Sequence, residues 1–200
     1  MKASERIKQI SKKYGYSHIG SCLSCLPILE AIYTSKGPDD LVILSAAHAH
    51  VAHMVVKEYY ENVNNIEFLL ETYGIHCDRQ AGCDATGGSL GHGLGIAIGR
   101  ALANKDITIH VILTEGSLAE GSEWEALRLL TDLNIKNIKI YLNLNGYSAV
   151  AEVDGFKLRD RVKAFYPDAM AWFTDNGEGF SGIEGHYKKL GNYPLTAGKV

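Results

Sequence analysis

The chain has 200 residues, 46% hydrophobic and 22% charged, with a net charge of −3 at neutral pH. That length suits one domain with a substantial core, and the small net charge gives no general electrostatic case for nucleic acid or an anionic membrane. No apolar run is long enough to span a bilayer, and the polar start MKASERIKQISKK has no signal-peptide pattern, so the cytoplasm is the expected location.

Residues 3–14 read as an amphipathic helix with Ile7 and Ile10 on its inner face. A loop, Gly15 to Ser21, precedes a helix expected from about Cys22 to Tyr33, which would place Pro27 near its first turn, where a missing N–H does little harm. Gly37-Pro38-Asp39-Asp40 breaks the chain before a short strand, Leu41 to Leu44, and a helix over about 48–60. A short helix from Asn62 to Tyr73 leads to a polar loop running from Gly74 through Ser89. The helix expected from Leu90 to about Ala103 contains Gly91, Gly93, Gly95 and Gly99. Glycine weakens a helix, so this repetition predicts close backbone packing against a neighbour.

Two apolar runs follow, 107–113 and 138–144, each a buried strand bounded by breakers, with a segment of helical length between them. In a parallel β-α-β unit the strand tips share one sheet edge, so Glu115 and Asn145 would lie together beside a helix N-terminus that favours anions. Such an edge suits a hard cation bridging protein to phosphate. Phe156 to Phe165 then reads as a helix, Ala169 to Thr174 as a strand, Ser181 to Leu190 as a helix and Pro194 to Val200 as an extended piece. Strands alternating with helices predict an α/β/α three-layer fold with a mostly parallel central sheet. Cys22-x-x-Cys25 invites a zinc or redox reading, but Cys77 and Cys83 are not spaced as a zinc knuckle, and the two early cysteines, among apolar residues at helical spacing, read as small hydrophobes.

Four fragments carry a resemblance. Ser17-His18-Ile19-Gly20-Ser21-Cys22-Leu23-Ser24 is similar to G-H-P-G-G-S-L-S, and Ile43-Leu44-Ser45-Ala46-Ala47-His48-Ala49 to V-L-S-K-G-H-A. His76-Cys77-Asp78, with Thr86 to Gly93, is similar to G-H-P-E and T-T-G-S-L-G-Q-G. Thr114 to Ala126 is similar to G-D-G-E-L-x-E-G-x-x-W-E-A, a motif that closes with an Asn about where Asn145 stands, 30 residues after Glu115. One motif alone would be weak, but four in order resemble the diphosphate-binding (PP) domain of transketolase, a thiamine-diphosphate enzyme. Leu158 to Phe165 also follows that family's pattern, so the likeness implies a single PP domain over 1–200.

The resemblance implies a cofactor, thiamine diphosphate, held through Mg²⁺ (or Ca²⁺ or Mn²⁺). The metal ligands would be Glu115, Asn145 and the Tyr147 carbonyl. His48, Gly88, Ser89, Leu90, Gly116 and Ser117 would line the cofactor, while His18 and His76 would face the reacting oxygens, where an imidazole can donate or accept. Glu120 and Glu125 resemble acids linking paired active sites at a subunit interface. They also read as a solvated acidic first turn that suits the helix dipole. His50, His53, His92, His110 and His186 have no counterpart with a site role.

Two departures stand at the metal site: Glu115 replaces an Asp and Thr114 replaces a Gly. The Glu that activates the cofactor belongs, in the family, to a Pyr domain that this sequence does not contain, and a later diphosphate-contacting His is expected beyond its end. The implied protein is therefore one subunit of a split transketolase, partnered by a separate Pyr-domain (transketolase C-terminal-like) chain in a heterotetramer. It would transfer a two-carbon ketol unit between sugars or sugar phosphates. The alternatives are an acyl-transfer relative (deoxyxylulose-phosphate-synthase-like or a 2-oxoacid decarboxylating component), against which His76 and the Gly-Ser-Leu-Gly run argue, and a non-catalytic scaffold suggested by Thr114 and Glu115.

Overall fold

The computed structural model describes residues 1–148 and 151–191; the extended piece expected over 194–200 lies outside them. Four parallel strands, β1 (Leu41–Leu44), β2 (Ile109–Thr114), β3 (Ile138–Leu144) and β4 (Met170–Phe173), lie side by side in chain order. The period of two in a strand sorts their side chains. Ile43, Ile109, Val111, Leu113, Ile138, Ile140, Leu142 and Leu144 enter one core with α5 (Gly93–Ala103), α6 (Gly121–Asp132) and α7 (Gly155–Phe165). Val42, Leu44, Ile112 and Tyr141 enter the other, with α1 (Ala3–Tyr14), α2 (Ile19–Ser35), α3 (His50–Tyr60) and α4 (Ile66–Tyr73). A short α8 (Gly182–Tyr187) follows β4. The expected three-layer parallel architecture is the one observed.

Three helix starts differ from expectation, each for a backbone reason. α2 begins at Ile19 rather than near Cys22, because His18 takes a left-handed conformation (φ 62°) and caps it. Pro27 therefore sits inside the helix, not in its first turn, on the exposed face. Left-handed Asn62 and Asn65 delay α4 until Ile66, and Gly91 (φ 83°) delays α5 until Gly93.

The glycines of α5 and of the turn before it divide. A methyl on Gly93 would lie 2.6 Å from the Cα of Ser45, and one on Gly91 2.5 Å from the Cβ of Glu120, so these two permit close approach. Gly95 and Gly99 face open space. Among the described residues no helix is long and apolar enough to cross a membrane.

Candidate active site at the carboxyl edge of the sheet

Because all four strands run the same way, their C-terminal tips converge, and a cleft of about 200 Å³ opens there. At the tip of β2, Thr114 and Ser117 latch the turn reciprocally. The Thr114 amide donates to Ser117 Oγ at 3.0 Å, the Ser117 amide to Thr114 Oγ1 at 3.2 Å, and the Ser117 hydroxyl to the Thr114 carbonyl at 3.1 Å. The threonine that departs from the family pattern thus holds its own turn, and buried Ser117 lies beneath it, away from the cleft wall. Thr114→Gly should cost about 1–2 kcal/mol, through a lost hydrogen bond and added chain entropy. Denaturant unfolding of the two proteins would measure the difference.

Glu115 is 2% exposed. Its Oε1 accepts the Gly146 amide at 2.8 Å, tying the tip of β2 to the turn after β3, and its Oε2 is buried with no hydrogen-bond partner among the described residues. Burial pushes this carboxyl up to about 7, against weaker opposing backbone hydrogen bonds. An acid held in this way lacks a counter-charge. Asn145 bends the turn by accepting the Tyr147 amide at 3.0 Å and donates to Ser24 Oγ at 3.3 Å. Asn143, behind it, donates to Ser24 Oγ at 3.0 Å and accepts from Thr174 Oγ1 at 2.5 Å, bracing α2 and the end of β4 against β3.

The opposite wall carries imidazoles. The His18 ring lies 4.9 Å from that of His48 and 4.4 Å from that of His186. Ser17 Oγ bonds His18 Nδ1 at 2.8 Å, and Ser21 Oγ bonds His48 Nε2 at 3.1 Å. Burial, then the nearness of His186 and His76, lowers His18 to about 3. His48, His76 and His186 are likewise lowered, chiefly by burial. All four are therefore neutral near pH 7 and offer both donor and acceptor nitrogens.

The wall collects His18, His48, His76, Gly88, Leu90, Gly116, Asn145 and Tyr147 as expected. Glu115 lies just behind it, while Ser89, Ser117 and Glu120 are not part of it. Glu120 caps α6 at the surface, against Gly91, and Glu125 is exposed and paired with Arg128. Glu123, unremarked in the sequence, is the buried acid of that turn, accepting from Ser45 Oγ.

Sequence reasoning missed Ser21, Asn143, Ser148, Asn176, Phe180, Gly182, His186 and Tyr187, which also line the wall. His186, to which the sequence gives no site role, joins the cluster, and its carbonyl accepts the His18 amide at 3.0 Å. The only signal was a His-Tyr pair in a glycine-rich segment.

A family model described as 1-deoxy-D-xylulose-5-phosphate synthase, N-terminal domain, matches residues 4–169. Transketolase of Pongo abelii is 27% identical over 88% of this chain and 36% of its own length. The 6-deoxy-6-sulfo-D-fructose transketolase subunit SqwG of a Clostridium strain is 29% identical over 76% of this chain and 65% of its own. One of the subunits of apulose-4-phosphate transketolase from Phocaeicola vulgatus is 27% identical over 88% of this chain and 72% of its own. The chain thus spans about a third of the length of the full transketolase and much more of the two subunits. Transketolase from Leishmania mexicana superposes with a TM-score of 0.57 at 16% identity, over 80% of this chain and 31% of that one, a likeness of fold. The chain belongs to the thiamine-diphosphate-dependent family of 1-deoxy-D-xylulose-5-phosphate synthase and transketolase, as a relative of their N-terminal domain.

Proposed function

We propose that this chain is the diphosphate-binding subunit of a split transketolase, working with a separate Pyr-domain subunit. The observation that carries the reading is the buried Glu115 Oε2, without a partner among the described residues, just behind one wall of a cleft whose other wall is a cluster of neutral imidazoles. A divalent cation supplies the counter-charge the carboxylate lacks, and the oxygen donors around it suit Mg²⁺. Glu115, Asn145 and the Tyr147 carbonyl would hold the ion. Gly116 and Gly88 present bare backbone to a diphosphate, with His48 and His186 as neutral donors beside it. His18 and His76 stand where a substrate's oxygens would be received, and His76 favours a hydroxymethyl-ketone donor. Thiamine diphosphate, when bound, supplies the carbon nucleophile that carries a two-carbon ketol unit from a ketose to an aldehyde.

The heteromeric arrangement is supported by the names of two relatives that this chain matches over most of their length. The expected result is therefore little ketol transfer by the purified chain alone and robust transfer after co-expression with a neighbouring Pyr-domain gene product. Robust turnover by the chain alone would overturn the heteromeric reading. A family model named for a pyruvate-using synthase keeps the acyl-transfer alternative in view. Turnover of pyruvate but not of ketose donors by the reconstituted pair would favour it. Absence of cofactor binding, by calorimetry with Mg²⁺ and with the partner present, would leave only a scaffold role.

A further inference from the structure

A second cluster of ligating side chains lies outside the cofactor cleft. His50 and His53 stand one turn apart on α3, 0% and 1% exposed. Cys77 and Cys83 lie on the loop between α4 and α5, also buried and in no disulfide. The loop folds down onto the start of α3, with the Cys77 amide donating to the Ala47 carbonyl at 2.9 Å. The Nδ1 of His53 is 4.0 Å from Cys77 Sγ and 3.8 Å from Cys83 Sγ, and the three donor atoms all lie within 4.8 Å of one another.

The outer nitrogen of each imidazole is already engaged. His53 Nε2 bonds the Tyr33 hydroxyl at 2.7 Å, and His50 Nδ1 bonds the Gly74 carbonyl at 2.9 Å. A carbonyl can only accept, so His50 carries its proton on Nδ1 and a lone pair on Nε2. That Nε2 is buried with no hydrogen-bond partner among the described residues, and the Cys83 thiol lies near both imidazoles. A buried acceptor left this way is destabilising until a partner fills it. Outer-nitrogen hydrogen bonds that fix the tautomer and turn the lone pair inward are the usual support of a metal-bound histidine.

Packing alone explains two buried cysteines as small hydrophobes, but it does not explain a buried imidazole lone pair left without a donor among the described residues. We propose that His50, His53, Cys77 and Cys83 form a structural Cys₂His₂ site for zinc, separate from the oxygen-ligand site at Glu115. Zn–S and Zn–N bonds of about 2.3 and 2.0 Å at a tetrahedral angle separate sulfur from nitrogen by roughly 3.5 Å. The separations at His53, 4.0 and 3.8 Å, need only a small contraction, and His50 would complete the set by bringing its Nε2 to the ion. Binding releases the two thiol protons to solvent and leaves two thiolates on the ion.

The site would have a consequence for the cleft. Cys77 adjoins His76, and Gly88 and Leu90 follow on the same loop, so the ion would staple to α3 the segment that presents these residues. His-x₂-His and Cys-x₅-Cys are not a familiar zinc spacing, which is why the sequence reads the cysteines as filler. His50 and His53, read as structural, become ligands together with them.

The test uses the full chain, expressed with zinc in the medium and purified without chelator. Elemental analysis should give stoichiometric zinc, and Co²⁺ exchanged into the protein should show thiolate-to-cobalt charge-transfer absorption. Glu115→Gln should retain the zinc, while Cys77→Ser/Cys83→Ser should lose it. Chelator treatment of the wild-type protein should lower Tm by several degrees, with recovery on adding Zn²⁺. Substoichiometric zinc together with no cobalt–thiolate band would overturn the proposal. So would zinc retained by the double-serine protein, or a Cys77–Cys83 disulfide in the protein purified under reducing conditions. The wild-type zinc content and cobalt spectrum decide the matter even if the serine variants do not fold.

Discussion

Glu115→Gln should abolish metal-dependent binding of thiamine diphosphate and, in the same protein without metal, raise Tm at pH 8. The two effects have one cause. Burial moves the Glu115 carboxyl from 4.5 up to about 7, so the folded metal-free chain prefers the protonated acid. The sign follows from the folded value lying above the unfolded one. The preference leaves stability intact below about 4.5, erodes it as pH rises toward 7, and costs about 3 kcal/mol above that, an order-of-magnitude figure from the shift.

Gln keeps an acceptor for the Gly146 amide and removes the charge, so the metal-free gain should be several degrees at pH 8 and absent at pH 4. For the wild-type protein, cation affinity should fall about tenfold per pH unit below 7 and level off above it, because the cation competes with a proton for Oε2. Calorimetric titration and thermal melts across that range measure both. A Gln variant that melts lower than the wild type at pH 8 without metal would contradict the assignment. Glu115→Ala should lose cofactor binding equally, with the fold retained.

Gly20→Ala should weaken cofactor binding about ten- to a hundredfold while leaving helix content unchanged. A methyl at Gly20 would lie 2.5 Å from the carbonyl oxygen of Phe180 and 3.2 Å from the Cβ of Asn176. The nearest obstacle is backbone, so the segment after β4 must move off the start of α2. Relieving that overlap costs about 1–3 kcal/mol, which in binding is about ten- to a hundredfold. The segment carries Asn176, Phe180, His186 and Tyr187, one whole side of the cleft. Ala is otherwise the better helix former, so α2 itself should not suffer. Circular dichroism beside calorimetry separates loss of the site from loss of the fold. Unchanged affinity would mean that this segment does not close the site.

Much of this was legible without coordinates where the signal is local. The apolar runs of β1, β2 and β3 announce their burial by composition and breakers, and strands joined through helices must run parallel, so Glu115 and Asn145 had to meet at one edge. The helix starts failed where a single residue's φ decides. Nothing in the side chains of His18, Asn62 or Asn65 obliges a left-handed backbone; their neighbours do.

Thr114 shows the other kind of failure. By likeness it was only an intruder in a glycine position, whereas in three dimensions it is one half of a latch with Ser117.

The sequence alone determined the layer order, the parallel sheet and the pairing of an acid with an amide at its carboxyl edge, because strand period and crossover geometry follow from residue pattern. Only the tertiary structure decided which groups are dehydrated together. It brought His186 from beyond β4 to His18, left Glu115 Oε2 without a partner among the described residues, and set two cysteines of one loop against a histidine of α3. Those juxtapositions depend on long-range packing and on the loss of water around each group, and neither is written in the spacing of residues along the chain.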